Sequence, residues 1–191
     1  MDTYELKLCG VKRELPFIDL EDNLAFASFV IMGDTELITA CAPELAEKIG
    51  EVDVIITAEA KGIALAYEIS RLLGKKEFIV ARKSIKSYMC GVVSVSVHSI
   101  TTSGEQHLYL DGHDAKRLCG KRVCIVDDVI STGESLYALE ALVESAKGIV
   151  TRKAAVLAEG KAAERDPDPY LFGFRKTQSL SGHRLAVQRR P

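Results

Sequence analysis

From about residue 42 onward, apolar residues follow two alternating patterns: short unbroken runs, and stretches in which they recur every three or four positions. That alternation predicts buried parallel strands covered by helices. Pro43 suits the first position of a short helix reaching Ile49, where its missing N–H has no bond to make. Residues 52–57 (VDVIIT) follow as a buried strand. Across residues 61–73, Ile63, Leu65, Ala66, Ile69, Leu72 and Leu73 keep helical spacing, and Gly74 is placed to cap the C-terminus. Residues 77–81 (EFIVA) read as the next strand, and the basic, aperiodic residues 82–91 (RKSIKSYMCG) as a mobile loop. Val93, Val95 and Val97 then alternate with Ser94, Ser96 and His98 as a half-buried strand; residues 99–105 turn, and 107–110 return as its hairpin partner. A short helix over 114–118 ends at Gly120. Residues 122–126 (RVCIV) form a strongly buried strand, 134–146 an amphipathic helix and 149–157 the last strand.

Composition narrows the picture. With 191 residues, 47% of them hydrophobic, the chain is large enough for one core that hides roughly 70% of its unfolded surface without disulfide or metal staples. We expect a single domain over residues 1–168, its core at about 40–160, followed by a basic tail over 169–191. After Asp168 the acidic residues stop, while Arg175, Lys176, Arg184, Arg189 and Arg190 leave 20 basic against 27 acidic residues in the body. Such a tail reads as solvated or disordered. A net charge of -2 removes the basic footprint of a nucleic-acid binder. Cys9, Cys41, Cys90, Cys119 and Cys124 are odd in number and include no C-x-x-C pair, which points to reduced thiols and a cytoplasmic setting. No apolar stretch approaches the roughly 20 residues of a membrane span.

The chemistry is concentrated in VCIVDDVISTGES, residues 123–135. A buried strand delivers Asp127 and Asp128 to its C-terminal end, where ligands bind in open α/β sheets. A Ser-Thr-Gly turn then opens a helix. Its backbone N–H groups and the hydroxyls of Ser131, Thr132 and Ser135 make a cradle for a phosphate dianion, and Gly133 lets the backbone come close. The carboxylates cannot hold phosphate. As acceptor-only groups beside such a cradle they suit the hydroxyls of an attached sugar, so the combination describes a ribose 5-phosphate site. The same residue types also serve as a polar strand end and an ordinary N-cap, a reading that the whole pattern of apolar strand and D-D-V-I-S-T-G-E-S disfavours. Neither G-x-x-x-x-G-K-[ST] nor a strand-linked G-x-G-x-x-G occurs, which disfavours an NTPase or a dinucleotide enzyme. Ser131 has no nearby histidine in sequence to suggest an acyl-transfer triad.

The segment resembles the signature for 5-phosphoribosyl 1-pyrophosphate (PRPP) in type I phosphoribosyltransferases. The resemblance implies an α/β fold, with a mainly parallel central sheet flanked by helices, a flexible loop and a small base-covering subregion. It assigns the ribose to Asp127 and Asp128, and the 5-phosphate to Ser131, Thr132, Gly133, Glu134 and Ser135. Glu134 departs from the Gly typical of adenine phosphoribosyltransferases, and a second anion would be repelled, so only its backbone N–H should face the phosphate. Residues 57–62 (TAEAKG) resemble the pyrophosphate loop, which puts Glu59, Ala60, Lys61 and Gly62 at the substrate, with Lys61 where adenine-type relatives commonly carry Arg. Arg82, Lys83 and Lys86 match the R-K-x-x-K flexible loop. Lys83 and Lys86 join the acidic pair as candidate catalytic groups, because loop closure supplies charge to the leaving pyrophosphate and excludes water.

The implied reaction moves the 5-phosphoribosyl group from PRPP to a purine ring nitrogen through an oxocarbenium-like transition state, giving a nucleoside monophosphate and pyrophosphate. Thr102 stands where adenine-type relatives often carry an acidic residue, and residues 96–110 resemble the archaeal-type hypoxanthine/guanine enzymes. The acceptor therefore leans to hypoxanthine or guanine, with adenine next. The rival readings are a PRPP-sensing regulator without catalysis, and transfer to xanthine or orotate. Mg²⁺ is expected as a complex with PRPP, whose oxygens suit a hard ion, touching Asp127 and Asp128 only through water. His98, His107 and His113 lack metal-site spacing. Phe17, Phe26 and Phe29, or residues 170–174, are candidates for the base pocket, although aromatics so spaced more often serve a core. The resemblance also implies a homodimer.

Overall fold

The computed structural model describes residues 3–20, 24–98, 105–130, 133–159, 170–175 and 186–188. Strands β1 (Thr3–Leu8), β2 (Val11–Leu20) and β3 (Leu24–Ala27) form an antiparallel sheet ahead of the region where the periodic pattern begins. Cys9 and Gly10, at φ 49° and 80°, make the tight β1–β2 turn, the backbone conformation that matches strand twist in a two-residue hairpin. Leu6, Leu8 and Leu15 point into the core, while Glu5, Lys7, Lys12 and Glu14 pair on the outer face.

Helix α1 spans Thr35–Ile49, so Pro43 lies inside it and does not start it. The true start is Asp34, whose carboxylate accepts the Leu37 N–H at 3.0 Å. From there Leu37, Ile38, Cys41, Ala42, Leu45, Ala46 and Ile49 keep one continuous buried face. That face outweighs the bond Pro43 cannot make. Arg13 on β2 grips Asp34 with both Nε (2.6 Å) and Nη2 (2.8 Å), and its guanidinium holds that carboxyl below the usual carboxylate range. The hairpin and the helix cap thus share one carboxylate.

The remaining elements are β4 (Val54–Ala58), α2 (Ile63–Leu72), β5 (Ile79–Ala81), β6 (Val93–His98), β7 (Glu105–Leu110), α3 (Gly112–Leu118), β8 (Arg122–Ile130), α4 (Glu134–Ser145), β9 (Ile149–Glu159), β10 (Tyr170–Arg175) and β11 (Ala186–Gln188). The main sheet has the order β11-β10-β9-β8-β4-β5, all parallel except β11. One face packs Cys124 and Val126 against α1 and α2. The other packs Val123 and Ile125 against α4, α3 and the β6–β7 hairpin. The predicted α/β architecture is therefore the observed one. Several bounds differ: β8 runs on past Val126 to Ile130, and α3 begins at Gly112, capped by Asp111. The predicted turn over residues 99–104 lies outside the described residues.

The basic segment expected as a solvated tail contributes strands. Residues 170–175 pair parallel with β9, placing Tyr170 opposite Ala155 and Phe172 opposite Leu157, and β11 folds back on β10. An uncovered β9 edge needs backbone partners, and the YLFGF run supplies them; six residues are too few to display a period. Among the described residues no helix is long and apolar enough to cross a membrane.

Gly62, ahead of α2, sets how closely that helix sits on β8. A Cβ there would lie 2.3 Å from Thr57 Oγ1 and 3.3 Å from both the Asp127 Cα and the Val126 carbonyl oxygen. Gly62→Ala should therefore cost about 1–3 kcal/mol by overpacking, read as a lower Tm. Adding Thr57→Ala should recover part of that loss, because it removes the shortest contact, and purely additive losses would contradict this packing. For the hairpin clasp, Asp34→Ala should lower Tm by at least about 2–4 °C through loss of a cap. Asp34→Asn, which can still cap, should lower it less.

Candidate active site

Parallel strands bring the described parts of the acidic pair's strand, the α4 start and the two basic loops to one edge. The C-terminal ends of β4, β5 and β8 lead into residues 59–62, the basic loop after Ala81 and the turn before α4, respectively. The acidic pair lies inside β8, where the strand's two-residue alternation slips. Val126 and Val129, three apart, face the same core, as do Ile125 and Ile130 on the opposite side. Each carboxylate bonds the next backbone N–H: Asp127 Oδ1 accepts from Asp128 (2.9 Å) and Asp128 Oδ1 from Val129 (3.0 Å).

Asp128 is only 4% exposed, and its Oδ2 has no hydrogen-bond partner among the described residues. A buried acceptor left with capacity is a feature of functional sites. Burial raises the pKa of both carboxyls, and repulsion from Asp128 adds to it at Asp127, which is pushed up to about 7. Lys61 opposes the rise at both. The close seat of Gly62 against the Asp127 backbone is what keeps this lysine's segment beside the pair.

Of the predicted phosphate turn, Ser131 and Thr132 lie outside the described residues. Gly133 has φ 87° and ψ 3°, a left-handed conformation that glycine adopts without strain, and its carbonyl accepts the Tyr137 N–H at 2.8 Å to open α4. Glu134 and Ser135 form the first turn of that helix, whose N–H groups lack intrahelical acceptors and favour an anion.

Residues 59–62 and 82–86 meet through Glu59. Its backbone N–H donates to the Ala81 carbonyl (2.9 Å), and the Glu59–Ala60 peptide is cis. The Glu59 carboxylate accepts the Lys83 backbone N–H at 2.6 Å, pairs with Arg82 Nη1 at 3.3 Å and lies 3.7 Å from Lys86 Nζ. Those contacts, the Lys83 N–H first, hold its pKa below the usual carboxylate range. Ala60, Lys61 and Lys83 are exposed, and Lys86 Nζ donates to Ser84 Oγ at 2.6 Å. The loop is pinned at both ends by backbone: Arg82 exchanges two hydrogen bonds with Tyr109, and the Cys90 N–H donates to Asp111 Oδ2 at 2.8 Å.

Glu59 was expected at the substrate, and here it faces the basic loop. Tyr109 and Asp111, which anchor that loop, carried no signal beyond the cap-forming position of Asp111 before a helix. Phe29 is 8% exposed and belongs to the core, while the side chains of Phe26 and of residues 170–174 are outside the description. His107 stacks on Tyr109, and the His113 N–H is held by Asp111.

Known proteins are similar to this chain in sequence and fold. The Phosphoribosyl transferase domain profile matches residues 35–184. HGPRTase-like protein 3 of Haloterrigena turkmenica is 34% identical over 145 residues, covering 73% of this chain and 74% of that protein. The hypoxanthine/guanine phosphoribosyltransferase of Methanothermobacter thermautotrophicus is 39% identical over 120 residues, 58% of either chain. The solved adenine phosphoribosyltransferase of Thermoanaerobacter pseudethanolicus shares the fold at TM-score 0.64 and 23% identity, over 85% of this chain and 95% of that one. With the profile spanning most of the chain and the acidic pair, glycine turn and two loops gathered at one sheet edge, this chain belongs to the phosphoribosyl transferase domain family.

Proposed function

We propose that this protein transfers the 5-phosphoribosyl group from PRPP to a ring nitrogen of a purine, with hypoxanthine or guanine ahead of adenine, releasing pyrophosphate. The observation that supports it most is the adjacent pair of half-buried Asp127 and buried Asp128, set between a glycine-opened helix N-terminus and two cation-bearing loops. The preference for a 6-oxopurine rests on the relatives named hypoxanthine/guanine phosphoribosyltransferase, at 33–39% identity. The adenine enzymes found among solved structures share the fold at lower identity.

In this reading the α4 N-terminus holds the 5-phosphate, and the acidic pair accepts hydrogen bonds from the ribose hydroxyls. The sugar is thereby fixed while its C1 loses pyrophosphate and gains the purine nitrogen. Lys61, Arg82, Lys83 and Lys86 oppose the charge that grows on the leaving oxygens. Two carboxylates are too few for a protein cage around Mg²⁺, but they suit an ion arriving on PRPP oxygens, which they would meet through its waters. That ion, when bound, neutralises part of the pyrophosphate charge. We place the enzyme in the cytoplasm as a homodimer acting on small molecules rather than on nucleic acid or membrane; its five cysteines, odd in number and without a C-x-x-C pair, suit a reducing compartment.

The direct test is pyrophosphate release from PRPP and Mg²⁺ with adenine, hypoxanthine, guanine, xanthine or orotate supplied singly, and nucleotide formation checked by mass. Release with hypoxanthine or guanine is expected. Saturable PRPP binding without release for any base would replace transfer by PRPP sensing. Asp128→Asn keeps the shape but loses a charged acceptor, so kcat/KM for PRPP should fall about 10–100-fold, with Tm unchanged or higher because a buried charge is removed. A third test is pH. Ribose binding needs the Asp127 anion, so kcat/KM for PRPP should rise with pH up to about 7 and then level, a limb that Asp127→Asn abolishes. Stability of the unliganded protein runs the other way. The contribution of a raised carboxyl is complete below the unfolded pKa of about 4 and is lost as pH rises through about 7, so Asp127→Asn should flatten the fall in Tm over that window.

A further inference from the structure

A carboxylate is a poor ligand for pyrophosphate, yet Glu59 sits in the loop assigned to it and is only 19% exposed, against 34% for Arg82 and 36% for Lys86. It is surrounded by the cations that the leaving group needs. Two kinds of contact meet there. One is a short backbone bond, Lys83 N–H to Oε1 at 2.6 Å, which fixes the position of the loop. The others are longer and involve charge: Arg82 Nη1 at 3.3 Å from Oε2 and Lys86 Nζ at 3.7 Å from Oε1. The loop is pinned by Tyr109 at one end and Asp111 at the other, and between them, among the described residues, this glutamate ties it to the pyrophosphate loop.

We propose that Glu59 is a positioning residue that docks the basic loop on the pyrophosphate loop by standing in for the diphosphate's charge. Its backbone anchor keeps the loop in place, and its charge occupies Arg82 and Lys86 until a more highly charged anion takes them. When pyrophosphate has formed, the carboxylate competes for the same two cations and favours its departure. The identity of that anion rests on the transfer reading given above; the docking of the loop does not.

Two variants separate the anchor from the charge. Glu59→Gln retains an oxygen for the Lys83 N–H and loses the charge, so Mg²⁺–PRPP and Mg²⁺–pyrophosphate should each bind about fivefold more tightly, the scale of one partly exposed ion pair. Its KM for PRPP should fall while kcat falls with slower pyrophosphate release, a split that a merely structural role would not produce. Glu59→Ala loses both functions, and trypsin should cut it after Lys83 and Lys86 roughly threefold or more faster than wild type, with no ligand present. Unchanged or weaker affinity in Glu59→Gln at unchanged Tm, or wild-type cleavage of Glu59→Ala, would overturn the proposal. Should the wild type bind neither PRPP nor pyrophosphate, the transfer reading fails, and the cleavage rates alone decide whether Glu59 docks the loop.

Discussion

Two carboxylates side by side near the end of a buried strand are the most demanding feature of this molecule. Asp127 and Asp128 resist ionisation because of burial and, at Asp127, the neighbouring charge, so whatever surrounds them must tolerate a strained electrostatic state. The slip in β8 meets part of that demand by letting each carboxylate accept the next backbone N–H. The rest falls to Lys61, whose charge opposes the rise at both carboxyls and which directly precedes a closely seated glycine. At Gly62 even a methyl group would strike Thr57 and the Asp127 backbone. The acidic pair thus dictates how α2 starts, and with it where residues 59–62 lie.

The same economy appears around the loops. Parallel strands present their C-terminal ends together, so β4, β5 and β8 deliver three chemically different segments to one edge without any long-range design. What differs is how firmly each is held. The acidic pair is built into a strand and Gly133 into a helix start. The basic loop depends on backbone bonds at its ends and on one glutamate between them. In the proposed reading rigid groups fix the sugar, whereas cations that must meet and then release a leaving anion ride on the more lightly held segment.

Much of this could be read from residue order. The acidic pair and the glycine turn needed only a strong apolar strand before them, and that strand is unmistakable; the two basic segments take their meaning from the family resemblance. What escaped was held by contacts far apart in sequence. The N-terminal sheet has a polar outer face, and it meets α1 through core leucines and through an arginine 21 positions from the carboxylate it grips. Pro43 misled because a local rule about proline competed with a longer apolar face that ignores it. Residues 170–175 form a strand because β9 offers them an edge, a fact absent from their own composition. For the site, the loop motif puts Glu59 at the substrate, while its contacts with Arg82 and Lys83, 23 and 24 residues away, become visible only when β5 lies beside β4.

That last case bears on how the site reconciles attraction with turnover. Cations placed to stabilise a departing diphosphate would also retain it, and would repel one another before it arrives. A carboxylate among them addresses both problems, because it lowers the repulsion in the unliganded state and offers the cations an alternative partner after the reaction. One charge is enough to do so without excluding a substrate that brings several. Neighbouring Lys61 acts on the acidic pair as well, where its charge opposes the rise in both carboxyl pKa values. In the proposed reading Arg82 and Lys86 are therefore exchanged between an internal carboxylate and the departing anion, while Lys61 serves the acidic pair in addition to that anion.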